Sequence, residues 1–189
     1  DGRNMTFDVD TQGEGGRGAG LIPALLGGRP TVLVSGEALA DGRTLFRRVD
    51  VRGPGIFVHA EGDRTLLGSL TLKGDGTVSN LAAASPGASG IVRATWTASQ
   101  GRATDPWKFT FDAKGERLAT GMAELDRLLG AAPRLRAAGT YAGTDIQVTS
   151  SNLDGAAGSA SASGLIRRDG TLGLAVNWSA KGPFRAGPV

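Results

Sequence analysis

Cysteine is absent from this chain, and histidine occurs once. Without cysteine there is no disulfide framework and no thiolate-bound metal. That lack fits a reducing compartment and equally an exported protein that avoids stray oxidation. Aromatic residues make up only 5%, so few large rings are available to fill a core. Charge of one sign is scarce too: 21 Lys and Arg against 18 Asp and Glu leave a surplus of +3. A nucleic-acid binder clusters a far larger basic excess, so that class is set aside. No run approaches the ~18 consecutive apolar residues of a membrane-spanning helix. The opening residues lack the basic and apolar regions of a leader peptide, and the chain reads as a section cut from a longer protein.

Glycine is what the chain has in excess. It supplies 31 of 189 residues, more than twice the average share of ~7%. There is no collagen period, and apolar runs recur throughout, which argues against disorder. Abundant glycine with short apolar runs predicts a turn-rich, mostly β protein.

The dominant pattern has period two. Met5, Phe7 and Val9 alternate with polar residues, as do Val92, Ala94 and Trp96, then Trp107, Phe109 and Phe111, then Leu172, Leu174, Val176 and Trp178. Successive side chains of a strand point to opposite faces, so each run presents one apolar face. Further strands are read at 31–39, 44–51, 55–61, 66–73, 134–141, 145–153 and 156–163. Turns are assigned to Asp41-Gly42, Gly74-Asp75-Gly76, Asp154-Gly155 and Asp169-Gly170. Glycine supplies the positive φ of a tight hairpin there. The prediction is an all-β antiparallel meander of about a dozen strands.

Two segments have helical spacing: Leu21–Leu26 and Met122–Leu129, the second with Met122, Leu125, Leu128 and Leu129 on one face. Each ends at a glycine suited to a left-handed C′ position, Gly27 and Gly130, and each is followed by a proline, Pro30 and Pro133. The two surroundings align: Leu25 with Leu128, Leu26 with Leu129, Gly36 with Gly139. After a shift of one residue, Val51 aligns with Leu153 and Gly53 with Gly155. An internal repeat of a short helix followed by a strand meander is expected. It divides the chain into 1–119 and 120–189, with the second copy continuing past the last residue.

Sites for chemistry are hard to find. His59 lies in a strand with no nucleophile motif beside it, and an ordinary strand histidine is the simpler reading. Asp8, Asp10 and Glu14 lack the spacing of a calcium loop. The glycines from Gly13 to Gly20 contain a G-x-G-x-x-G spacing, but the following helix is short and contains Pro23, so it is no dinucleotide loop. Glycoside hydrolysis would need aromatic platforms. Trp96, Trp107, Trp178 and Tyr141 are the candidates, and three of these belong to apolar strand faces. The expectation is no enzyme, no cofactor and no metal.

The remaining feature is a surface. A meander with a continuously apolar face must cover it with a second sheet, by curling, or with a ligand. The inward candidates are mostly small, which leaves room for a trough. Acyl chains suit such a trough at ~0.8 kcal/mol per buried CH₂. The competing architecture is an ordinary sandwich. The candidate lining is Val92, Trp96, Trp107, Phe109, Phe111, Leu172, Leu174, Val176 and Trp178.

The words "GAGLIPALLGGRPTVLVSGEALADGRTLFRRVDVRGPGIFVHAEG", "LTLKGDGTVSNLAAASPGASGIVRATWTASQ", "PWKFTFDAKGERL", "LDRLLGAAPRLRAAGTY" and "WSAKGPFRAG" resemble the TamB family of AsmA-like envelope proteins, in its alphaproteobacterial form. The resemblance covers most of the chain in composition and phrasing, not in catalytic motifs. It implies a periplasmic, elongated β-sheet curled into a U-shaped apolar groove. It implies an inner-membrane anchor outside this segment and a TamA-like outer-membrane barrel as partner. It implies phospholipid acyl chains as cargo, with a role in outer-membrane protein and autotransporter assembly. The alternative is a structural or adhesive β-array of a secreted surface protein. A short solenoid period of ~20–30 residues would mark such an array, and none is found.

Overall fold

The computed structural model describes residues 3–14, 21–83 and 85–182. Eleven strands form one sheet in which every strand pairs with its neighbours in sequence. They are β1 (Met5–Gln12), β2 (Thr31–Ala38), β3 (Thr44–Arg52), β4 (Ile56–Arg64), β5 (Leu70–Val78), β6 (Ser89–Gln100), β7 (Trp107–Ala119), β8 (Arg134–Tyr141), β9 (Ile146–Asp154), β10 (Gly158–Ile166) and β11 (Leu172–Ala180). All pairs are antiparallel. β1 and β11 do not pair with each other, so the sheet stays open. Bulges interrupt the pairing at Ser35/Gly36, Phe46/Val49, Ser89/Ile91, Ala138/Gly139 and Ala162/Gly164. Bulges bend strands and add twist, which curls the sheet. The protein is therefore an all-β, curled, unclosed antiparallel sheet with two short helices.

No second layer packs on this sheet among the described residues. Among the described residues the buried apolar side chains are Leu25, Ala60, Ala113 and Pro133. The helices α1 (Leu21–Leu26) and α2 (Ala123–Leu129) lie at the same end of the strands. Their last carbonyls are met by turn N–H groups: Gly55 donates to Leu25 at 3.0 Å, Ala157 to Leu128 at 3.0 Å and Ala156 to Leu129 at 3.0 Å. The orphan acceptors of a helix C-terminus are satisfied this way. Gly27 and Gly130 both take positive φ, 66° and 67°, as the breaker reading requires.

The two halves match beyond their helices. β2 and β8 have eight residues each, while β3, β4, β9 and β10 have nine. Gly13 donates to Pro30 O at 2.8 Å, and Gly115 donates to Pro133 O at 2.8 Å. The one-residue shift in the alignment has a location: residues 39–43 join β2 to β3, whereas the shorter 142–145 joins β8 to β9. β7 and β8 pair through eight positions, so one sheet runs through the 119/120 boundary.

Four local expectations need correction. Gly74-Asp75-Gly76 is not a turn. It lies inside β5, paired with Ala60, His59 and Val58 on one side and with Trp96, Thr95 and Ala94 on the other. The turn falls instead at 65–69, with Gly68 at φ 83°, so β5 starts at Leu70 rather than Leu66. Glycine there serves packing: a Cβ on Gly74 would sit 2.8 Å from Trp96 Cζ2. Gly155 follows β9 without a positive φ, while Gly42 and Gly170 have φ 82° and 85°. Met122 precedes α2 in an extended conformation. On the expected apolar face of α2, Met122 and Leu125 remain exposed. The glycines at 15–20 lie outside the described residues.

Candidate functional site

Directly opposed residues in an antiparallel pair share a face. Following the register through the sheet separates two surfaces. One carries Val9, Val34, Val49, Ala60, Gly74, Trp96, Phe111, Ala137, Ser151, Ala162 and Val176 along a path through all eleven strands. Along neighbouring paths the same face adds Val92, Phe109, Trp107, Leu135, Leu153, Leu174, Leu172 and Trp178. All nine sequence-predicted lining residues fall on this one face. Val92, Trp96, Trp107, Phe109, Phe111 and Leu174 are half-buried. On the last strand, Leu172, Val176 and Trp178 are exposed by 63%, 55% and 73%.

The opposite face is polar. Cross-strand ion pairs run over it: Lys73 with Glu61 at 2.9 Å, Arg93 with Glu116 at 2.9 Å, Arg134 with Asp112 at 2.5 Å and Arg136 with Asp154 at 2.9 Å. Lys73 and Arg134 hold the carboxyls of Glu61 and Asp112 below their ordinary values. The pairs are largely exposed, so each adds little to stability.

One carboxylate on this face is different. Asp50 is 2% exposed. Arg48 donates to its Oδ2 at 2.8 and 2.5 Å, Arg52 at 3.3 Å, and His59 Nδ1–H donates to Oδ1 at 2.7 Å. An ionised carboxylate only accepts, which places the proton on Nδ1. The Arg48 hydrogen bonds, against the opposing effect of burial and with help from His59, hold Asp50 down to about 2. Arg52 also lies over the Phe57 ring at 5.1 Å, so the knot is braced on both flanks.

A cavity of about 700 Å³ opens on the same polar face beside this knot. His59, Asp75, Thr95, Asp112, Arg136 and Asn152 form one of its walls. Trp96 and Phe111 contribute to its floor, with their rings assigned by register to the far face. His59 is thus oriented by a carboxylate, as a general base would be. Among the described residues its side-chain hydrogen-bond partner is Asp50, and no serine or threonine hydroxyl hydrogen-bonds to it. No group of three or more His, Asp or Glu side chains is placed to hold a metal among them either.

Sequence reasoning missed the Asp50 knot. Part of its signal was present: Arg48, Asp50 and Arg52 alternate within one strand and must share a face. The contribution of His59 depends on the register of β3 against β4, which brings it directly opposite Asp50.

No helix of the described residues is long and apolar enough to cross a membrane. The chain matches no family model, no curated protein and no solved structure.

Proposed function

We propose that this chain is a section of a TamB-like lipid conduit, its apolar face forming one wall of a groove that carries phospholipid acyl chains. The observation that supports this reading is the predominantly apolar face that register carries through eleven strands, with no protein layer over it among the described residues. A single soluble domain exposes a contiguous apolar patch of this extent only when something covers it. Acyl chains are a suitable cover because they are apolar, long and indifferent to side-chain detail. Each methylene removed from water returns ~0.8 kcal/mol. The chemistry required of the protein in this role is a dry surface.

In this reading the chain works in the periplasm within an inner-membrane-anchored protein. Regions beyond it engage a TamA-like outer-membrane barrel, and the whole supports outer-membrane biogenesis and protein secretion. The test is native mass spectrometry of the chain purified from a Gram-negative host. The reading expects bound phospholipid on the wild type and none on Ala94→Asp, whose position is half-buried at the centre of the apolar face. An unpaired carboxylate among acyl chains costs several kcal/mol to desolvate. A wild-type chain that is folded and lipid-free overturns the proposal.

A further inference from the structure

Two hydrogen-bond acceptors stand side by side in the polar-face cavity with no donor between them. His59 gives its Nδ1–H to Asp50 at 2.7 Å, and Asp50 is held in turn by Arg48 and Arg52. The neutral ring then keeps a bare Nε2 on its side away from Asp50. That nitrogen has no partner among the described residues. Directly opposite His59 on the next strand lies Asp75. Its carboxylate makes no hydrogen bond and no ion pair among the described residues either. Opposed side chains of an antiparallel pair start from Cβ atoms ~5 Å apart. An imidazole nitrogen without a proton and a carboxylate at that separation cannot bond each other, because both only accept.

The other charged side chains of the cavity are already matched. Glu61 is paired with Lys73, Asp112 with Arg134 and Arg136 with Asp154. Thr97 and Thr110 share a hydrogen bond at 2.6 Å. Three neutral polar groups stay unpaired among the described residues. They are the hydroxyl of Thr95, opposite Asp75, and, farther along, the Ser150 hydroxyl and the Asn152 amide. The cavity thus offers two strong acceptors at one end and neutral polar groups at the other.

The internal repeat shows that the fold does not require this chemistry. Asp50, His59 and Asp75 sit opposite one another on three successive strands. The alignment with its one-residue shift puts Asn152, Ser161 and Asn177 at the corresponding positions. They too oppose one another, on β9, β10 and β11. The sheet forms there with three neutral side chains. The buried carboxylate, the tethered imidazole and the second carboxylate belong to one copy only.

We propose that this cavity binds a small primary amine bearing hydroxyl groups, with its ammonium between His59 Nε2 and the Asp75 carboxylate. An ammonium has three N–H donors and no acceptor, so it can bond both groups at once and neutralise Asp75. The hydroxyls are matched by Thr95, Ser150 and Asn152. The volume of about 700 Å³ falls within the roughly 300–1,000 Å³ of small-molecule sites. An anion is repelled by Asp75, and an uncharged polyol leaves that charge unmatched. The site lies on the face opposite the apolar one and stands whether or not that face carries lipid.

The chain has one histidine, so its ring nitrogens are identified without ambiguity in heteronuclear NMR of the nitrogen-labelled chain. The probes are glucamine, the primary amine of sorbitol, and sorbitol itself, at about pH 8, where imidazole is ordinarily neutral. The free chain should show a proton on Nδ1 and none on Nε2. Glucamine should displace the Nε2 signal in a saturable way, and sorbitol should bind at least about tenfold more weakly. Asp75 is exposed, and Asp75→Asn should weaken glucamine about tenfold through loss of a charge-assisted contact. Asp63→Asn, which removes an unpaired carboxylate of the same strand face outside the cavity, should bind as wild type does. A proton on Nε2 in the free chain, no response to glucamine, equal responses to both polyols, full affinity in Asp75→Asn or an equal loss in Asp63→Asn overturns the proposal. The two-polyol comparison uses the wild-type chain and so holds even if a variant misfolds.

Discussion

Gly139 lies across the strand pair from Phe109, and a Cβ built on it would come within 2.8 Å of Phe109 Cζ and 2.4 Å of Gln147 O. In the other half, Gly36 stands in the same relation to Phe7, at 2.6 Å from its Cζ and 2.2 Å from Leu45 O. In both places a bulge adjoins the glycine. The ring folds over bare backbone, which lets an aromatic side chain lie along a face that has no second layer. Gly139→Ala and Gly36→Ala should each destabilise by about 1–3 kcal/mol through overpacking. Gly76→Ala is the control, since its nearest neighbour would be 3.4 Å away. It should change stability by less than about 0.5 kcal/mol. Urea denaturation of the three variants is the measurement, and equal losses at all three would contradict the account.

Helix termination gives a second test. Gly130 combines a φ of 67° with a position whose Cβ would meet Ala156 Cβ at 2.6 Å. Gly130→Val carries both a backbone and a contact penalty. It should cost at least 1–2 kcal/mol, roughly the penalty for a β-carbon at positive φ. Circular dichroism melts should register the loss. Gly28→Ala, with nothing near its Cβ, should melt close to wild type.

Acid should weaken the sheet through Asp50. Its carboxyl is held near 2, below the ordinary 3.8. A depressed folded-state pKa contributes stability that is complete above the unfolded value and is lost as pH falls from about 4 toward 2. The contribution is on the order of 2 kcal/mol. Asp50→Asn should lower stability at neutral pH by a similar amount and flatten the profile between those limits. Urea titrations at pH 7, 4 and about 2.5 compare the two chains. An unchanged acid limb in Asp50→Asn would assign the effect to other carboxylates.

Charge on the apolar face should act differently at its edge and its centre. Val176 is 55% exposed on the last strand, so Val176→Asp leaves its carboxylate hydrated and should cost under about 1 kcal/mol. Ala113 is 5% exposed, and Ala113→Asp should cost several kcal/mol because the charge is desolvated without a partner. Thermal melts distinguish them. Similar losses at both positions would show the apolar face to be uniformly covered.

The period-two runs made the faces legible, because alternation alone fixes which residues travel together. Trp96, Phe111 and Trp178 could be assigned to a common side before any pairing was known. The helix ends at Gly27 and Gly130 were legible for a similar reason: a glycine followed by a nearby proline has a local cause. Gly74-Asp75-Gly76 misled because the same letters serve turns and close packing. What separates the two uses is Trp96, a residue of the next strand. The knot at Asp50 and the cavity beside it were hidden for that reason too, since both are made by register. Alternation gives the face of a residue and not its cross-strand partner.

The strand order has a kinetic consequence. Each strand is paired only by the strands that precede and follow it in the chain, so loop closure never spans more than one connection. Such a sheet can grow from either end like a zipper, with each new hairpin templated on the last. A chain delivered in extended form through a narrow pore would not have to wait for its far end. β1 to β4 can pair while β8 is still unfolded, because none of their ladders involves it.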